Sequence, residues 1–139
     1  MADAFNLERF VDAQAPLYDE VRQELKVGRK QSHWMWFIFP QIAGLGQSPM
    51  SIRFAVASLD EAKAYLAHPV LGARLRKCAQ LTLDVEAKTA RDVFGGIDEM
   101  KFRSSMTLFA RAAPDEDIFL RCLDKYFAGA SDPATSARL

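Results

Sequence analysis

Polar groups suited to chemistry sit in three segments that lie far apart in the chain. The first is Ser32-His33-Trp34-Met35-Trp36-Phe37-Ile38-Phe39-Pro40-Gln41, where one of only two histidines stands next to both tryptophans. An imidazole in that setting can act as a general base, or as a ring donor in a pocket walled by Trp34 and Trp36. The second is the loop Gln41 to Ser51, in which Gly44 and Gly46 flank Leu45, with Gln47, Ser48 and Ser51 nearby. Backbone of this kind can present N–H groups to an anion. The third is Asp98, Lys101, Ser104 and Ser105. On a helix, Asp98 and Lys101 lie one turn apart, as do Lys101 and Ser105, with Ser104 beside them. Such a ridge can hold a phosphate or a carboxylate.

Each segment also has a plainer reading. His33 can bridge inside an aromatic cluster through its two ring nitrogens, and the absence of an identifiable Asp, Ser or Cys partner favours that structural role. The Gly-Leu-Gly loop lacks the Gly-Lys-Ser/Thr ending of a P-loop, so a tight turn is the simpler account. Two adjacent serines in an apolar helix permit close packing as readily as they bind an anion. Lys101 and Ser104 run in the order opposite to the Ser-x-x-Lys of penicillin-recognising enzymes, so that mechanism is not implied. His68, before Pro69, reads as a helix-junction residue. Glu20 and Glu24 read as a solvated helix face, and Arg74 and Arg76 as side chains lying over apolar surface. No His or Cys pair has zinc-ligand spacing, and no cofactor is implied.

Stepping from these groups to the chain that must position them, Trp34 to Phe39 holds both tryptophans and two of the ten phenylalanines. A segment apolar on nearly every side belongs inside a domain. The expected core is Trp34, Trp36, Phe37 and Phe39 with Leu71, Leu75, Phe102, Met106, Phe109, Phe119 and Leu123. Truncating Trp36 or Phe37 to Ala is expected to cost about 3–5 kcal/mol. The rest is patterned as helices. Asn6 is placed to cap a helix with Leu7, Phe10 and Val11. Pro16 suits the first turn of a second helix, with Leu17, Tyr18, Val21 and Leu25 at helical spacing and Gly28 ending it. Arg29-Lys30-Gln31 reads as a solvated basic linker, and Ser32 as the cap of the aromatic helix. Residues 49–57 read as a helical turn and an extended linker.

Ser58 and Glu61 form a capping box. Pro69 opens a long helix through Leu71, Leu75, Cys78, Leu81 and Val85, and Thr89 caps a short one leading to Phe94 and the break Gly95-Gly96. Asp98 reads as the cap of a helix with Phe102, Ser105, Met106 and Phe109 inward. The acidic run from Pro114 starts the last helix, which Gly129 ends. Residues 1–4 and 130–139 are expected to fray. The fold class is therefore all-α: one compact domain, 1–139, of about seven helices around a central aromatic helix.

Composition narrows the function classes. Eighteen Lys and Arg balance eighteen Asp and Glu over 139 residues. A nucleic-acid binder usually needs a basic surplus to neutralise phosphates, so no nucleic-acid partner is expected. Half the residues are hydrophobic, the composition of a folded domain rather than a disordered one. No uninterrupted apolar run is long enough to span a bilayer and no secretory signal is legible, so neither a membrane role nor export is expected. Cys78 and Cys122 are widely spaced and set among apolar residues, which suits two buried free thiols and a cytoplasmic location. A monomer is expected.

The aromatic decapeptide, then Gly44-Leu45-Gly46-Gln47-Ser48, His68-Pro69-Val70-Leu71-Gly72-Ala73-Arg74-Leu75, and the run from Phe94-Gly95 through Asp98, Lys101-Phe102 and Ser104-Ser105-Met106-Thr107-Leu108-Phe109, are similar to a known pattern. They resemble the bacterial domain-of-unknown-function family numbered 1810, over roughly residues 5 to 135. The resemblance implies a small, mostly helical single domain and brings no established activity. Members are sometimes labelled calpastatin-like, but calpastatin inhibitory segments are polar and disordered, unlike this composition.

The leading functional expectation is a small-molecule pocket for a nucleotide-like or anionic ligand. It is walled by His33, Trp34 and Trp36, floored by Gln41, Gly44, Gly46 and Ser48, and closed by Asp98, Lys101 and Ser105. Its enzymatic version hydrolyses the ligand, for example at an N-glycosidic bond of an ADP-ribose-type compound, an extension by analogy to other small helical domains. The alternative is a protein-interaction or structural module without catalysis, in which these motifs are core. The two are told apart by whether His33 and Lys101 approach one cavity.

Overall fold

Four helices of this chain begin where a short polar side chain takes up a free backbone N–H group. Ser48, Ser58, Thr89 and Asp132 each accept from the N–H three residues on, which satisfies donors a helix start leaves unpaired. In this computed structural model, which describes residues 3–139, the resulting elements are α1 (Glu8–Gln14), α2 (Tyr18–Val27), α3 (Met35–Ile38), α4 (Pro49–Arg53) and α5 (Leu59–Ala67). They continue as α6 (Leu71–Asp84), α7 (Ala90–Phe94), α8 (Asp98–Ala112), α9 (Ile118–Phe127) and α10 (Pro133–Ser136). The fold is all-α. Ten helices occur among the described residues rather than about seven; four of them, α3, α4, α7 and α10, are turns of four or five residues, and α10 falls in the segment expected to fray. The only ladder contact among the described residues is one parallel bridge, Ile42 to Val56, which ties the linker after α4 to the segment after α3.

Several local expectations are corrected. Asn6 does not cap α1; its φ is +53°, and the Asp3 carboxylate takes the N–H groups of Leu7 and Glu8 instead, at 2.7 and 2.9 Å. Ser32 does not cap α3, whose preceding position is Trp34. Asp98 is the first residue of α8, not its cap. Arg76 does not lie free over apolar surface; it pairs with Glu116 through two bonds of 2.6 and 2.8 Å.

The C-terminal segment, expected to fray, is anchored. Asp132 Oδ2 accepts from the Ser104 hydroxyl at 3.0 Å and from the Thr135 hydroxyl at 2.6 Å. The Asp132 N–H donates to Thr107 at 2.9 Å. These polar groups are buried and pair with one another, which is what makes burying them tolerable. The expected fraying of residues 1–4 falls partly on Met1 and Ala2, which lie outside the described residues.

The long helix α8 packs against α3, α5, α7, α9 and α10, and α6 packs against α2, α5 and α9. Between them runs a continuous aromatic interior. Phe39 meets Phe102 edge-on at 5.0 Å, Phe102 stacks on Phe94 at 4.7 Å, and Phe10, Tyr65 and Phe109 form a second string at 5.1 and 5.4 Å. Offset and edge-on pairs are the arrangements aromatic quadrupoles favour. Trp34, Phe37 and Phe39 are buried with Leu71, Leu75, Phe102, Met106, Phe109, Phe119 and Leu123. Trp36 is the exception: it is half-buried and packs against the core from its edge.

This difference is measurable by urea denaturation. Phe39→Ala is expected to destabilise by about 3–5 kcal/mol, the range for deleting a buried aromatic. Trp36→Ala is expected to cost less than Phe39→Ala, because part of the Trp36 surface stays in water in the folded state. Equal losses would place Trp36 in the core after all.

Candidate functional site

The connection from α2 to α3 is organised by one carboxylate. Glu24, near the end of α2 and 9% exposed, accepts from the N–H groups of Gln31 and Ser32 at 2.7 and 3.0 Å. It also accepts from the Ser32 hydroxyl at 2.6 Å and from the Trp34 indole N–H at 3.0 Å. Burial on its own raises the pKa of this carboxyl, but the Ser32 hydroxyl, the two backbone N–H groups and the indole outweigh it and hold the pKa below its ordinary 4.5. Glu24 is therefore no solvated face. It fixes the path of residues 31–34 and so the positions of His33 and Trp36.

Lys30, expected in a solvated linker, is held inside. Its backbone N–H donates to Val93 at 2.8 Å, which ties the linker to α7. Its side chain is only 8% exposed; Nζ lies 2.8 Å from Asp98 Oδ2 and 5.1 Å from the centre of the Trp34 ring. The other oxygen of Asp98 faces Lys101 Nζ at 3.4 Å, and Lys101 in turn lies 5.0 Å from the Trp36 ring centre. One carboxylate thus bridges two ammonium groups, each resting on one of the two tryptophans. Cation–π contact and ion pairing reinforce each other in this arrangement.

A cleft of about 300 Å³ opens beside this cluster. Lys30, His33, Trp36 and Asp98 border it, with Met35, Phe94 and the turn Gly95-Gly96-Ile97 completing the rim. Gly95 has φ +87° and no atom within 4 Å of where a Cβ would stand; it is required by its backbone angle, and it leaves the turn uncovered. The N–H groups of Gly96, Ile97 and Asp98 donate to no acceptor among the described residues. They stand at the positive end of the fifteen-residue α8.

The sequence-based candidates divide as follows. His33 is exposed on the cleft rim, Trp36 and Asp98 line the cleft, and Lys101 stands behind them on Trp36 and Asp98. Trp34 is fully buried and lines no cavity; it supports Lys30 from below the surface. Gln41, Gly44 and Gly46 meet the same Trp36 from another side, around a void of about 20 Å³, room for about one water. Gly44 has φ +97°, a backbone angle that favours glycine, and a Cβ on Gly46 would come within 2.5 Å of Ser51, so backbone angle and packing account for the two glycines. Ser48 caps α4 and lines neither space. Ser105 is fully buried with its hydroxyl unpaired, so it does not close the pocket. The sequence-based reading missed Glu24, Lys30, Met35, Phe94, Gly95, Gly96 and Ile97. Gly95-Gly96, lying before Asp98, was the one legible signal, since a double glycine before a helix exposes backbone.

Other groups are consumed locally. A wider groove of about 480 Å³ contains Asp3 and His68, but the Asp3 carboxylate is taken by Leu7 and Glu8. His68 Nδ1 accepts from the N–H groups of Val70 and Leu71 at 3.1 and 3.2 Å. Burial pushes the thiols of Cys78 and Cys122 up to about 12, which keeps both protonated and unreactive. No group of three metal-ligating side chains occurs among the described residues. No helix among them is long and apolar enough to cross a membrane.

Residues 4–139 match the family described as Protein of unknown function (DUF1810), and the chain belongs to that family. Among solved structures, the crystal structure at 1.38 Å of the conserved hypothetical protein Rv1873 from Mycobacterium tuberculosis is 50% identical to it. That likeness covers 99% of this chain and 98% of the other, with a TM-score of 0.98. A search of curated proteins finds no match.

The Glu24 cluster sets an acid limit on stability. Because its folded pKa lies below its unfolded one, Glu24 contributes fully above about pH 4.5 and the contribution is lost as pH falls below that value. Glu24→Gln is expected to lower stability at pH 7 by about 1.5–3 kcal/mol, the range for hydrogen bonds to a charged group. The deficit should shrink as the pH is lowered below 4.5 and Glu24 itself takes up its proton. A deficit independent of pH in urea titrations would show that shape, not charge, is what Glu24 supplies.

Proposed function

We propose that the chain binds a small ring-bearing ligand, nucleotide-like or otherwise anionic, in the cleft between α3 and the α7–α8 turn. The observation that carries this reading is the shared Asp98, which holds Lys30 and Lys101 against Trp34 and Trp36 at the edge of the cleft. A folded core has no need of two lysines there, because burying ions costs more than apolar packing returns. Two cations against one anion leave positive charge beside a half-exposed indole. That pairing suits a ligand with a flat ring and a negative group. The unpaired N–H groups at the start of α8 favour the same sign of charge. A hydrolytic version of the reading assigns proton transfer to His33, which is exposed on the rim and hydrogen-bonded to no group among the described residues.

The interaction-module reading has one observation in its favour. Ile97, on the cleft rim, is 77% exposed and Met100, three residues further along the chain, is 49% exposed, and a partner chain would cover them.

The ligand reading is tested by thermal unfolding against a panel of nucleoside monophosphates and heteroaromatic carboxylates. A ligand present at a hundred times its Kd adds about 2.7 kcal/mol to stability, which raises Tm by several degrees in a domain of this size. Lys101→Met, which keeps the aliphatic stem on Trp36 and removes the charge, is expected to fold normally and to abolish the shift. If no compound shifts the wild type, the interaction-module reading replaces this one.

A further inference from the structure

We infer that the ligand of this cleft is a single-ring, singly charged species, a heteroaromatic monocarboxylate, rather than a phosphomonoester or a pyrophosphate. The inference rests on the binding reading above and concerns only what the cleft selects.

Charge is the first argument. Lys30 and Asp98 are 2.8 Å apart with side chains 8% and 18% exposed, so they neutralise each other. Lys101, at 3.4 Å from the same carboxylate and 22% exposed, is only partly satisfied. The cluster therefore offers one uncompensated positive charge. Glu24 adds nothing to the cleft, because its oxygens are taken by Gln31, Ser32 and Trp34. The nearby Arg91 is engaged by Glu99 at 3.2 Å. A phosphomonoester carries nearly two negative charges at neutral pH. It would bring the second one against the Asp98 carboxylate, which itself lines the cleft. Nor does the cleft lining include an arginine, the residue whose planar fork holds phosphate with two bonds.

Size and wall chemistry are the second argument. The volume, about 300 Å³, lies at the lower end for small-molecule pockets. Apart from the charged pair and His33, its side chains are Met35, Trp36, Phe94 and Ile97. These accept a flat ring and offer no partner to the hydroxyls of a ribose. The free N–H groups of Gly96 and Ile97 on the cleft rim suit the oxygens of a planar carboxylate, and the charge of Lys101 behind Asp98 favours the same sign.

The experiment is a fluorescence titration of the full chain at pH 7.5, read on the tryptophans. Trp34 is sealed from solvent and Trp36 borders the cleft, so ring stacking quenches Trp36 alone, and Trp36→Phe supplies the control. The probes are nicotinate, orotate, nicotinamide, AMP and ADP-ribose. Nicotinate or orotate is expected to quench with a Kd at least tenfold lower than neutral nicotinamide and at least tenfold lower than either nucleotide. The quench should be absent in Trp36→Phe and weakened at least tenfold in Lys101→Met. Tighter binding of AMP or ADP-ribose that still depends on Lys101 overturns this inference and leaves the ligand reading standing. Binding of nicotinamide equal to that of nicotinate overturns the charge argument. No quench by any probe, with no thermal shift, overturns both.

Discussion

The architecture around the cleft depends on the carboxylate of Asp98 and its two lysines. Its two oxygens are divided between Lys30, from the loop after α2, and Lys101, one turn along α8. Ammonium groups this sheltered are tolerable only with a partner, and breaking such a pair strands a charge away from water. The bridge thereby fastens the start of α8 to a stretch distant in sequence, the α2–α3 connection and the aromatic turn that follows it. Because each lysine also lies on a tryptophan, the ion pairs set where the aromatic segment stops being core and becomes surface. Trp34 faces inward and Trp36 remains at the edge of the cleft.

The same device recurs elsewhere in the molecule. Glu24 gathers four donors, and Glu61, 3% exposed, accepts from Arg9 at 3.0 Å and from the Ala57 N–H at 3.0 Å. Arg9 reaches onward to the carbonyls of Arg53 and Ala55 at 2.9 and 2.8 Å. Asp132 does the equivalent for the C-terminal segment. In each case a carboxylate satisfies backbone groups or hydroxyls that an irregular segment cannot pair by itself. Such segments are many here, since ten short helices leave many ends. The fold is an aromatic interior whose loops are fastened by buried carboxylates, and the cleft lies where one fastening also leaves positive charge at the surface.

Much of this was legible in residue order. The all-α class, the caps at Ser58 and Thr89, the helix end at Gly28 and the inward placement of Phe39, Phe102 and Phe109 follow from local chemistry and helical period. So did the family, through the decapeptide and the motifs after it. The capping box at Ser58 was half right: Ser58 does accept from the Glu61 N–H at 3.2 Å, but the Glu61 carboxylate turns back to Ala57 rather than to Ser58. Of the residues named from the sequence, His33, Trp36 and Asp98 border one cleft, with Lys101 behind Trp36 and Asp98, while Gln41, Gly44 and Gly46 line a separate small void. Trp34, Ser48 and Ser105 were assigned to it and lie elsewhere.

What residue order determined, then, was everything decided within a turn or two of chain: which segments coil, where they stop, and which face is apolar. Tertiary structure alone decided the status of the charged residues. Glu24 and Lys30 look like ordinary solvated side chains, because the charge and hydrogen-bond partners that make their burial tolerable are not in the neighbouring turn. Their partners, Trp34 and Asp98, are 10 and 68 positions away. Whether a charge is buried depends on the free energy of pairing at a distance that chain proximity does not encode. Only the packing of α8 across the aromatic turn brings those partners within reach.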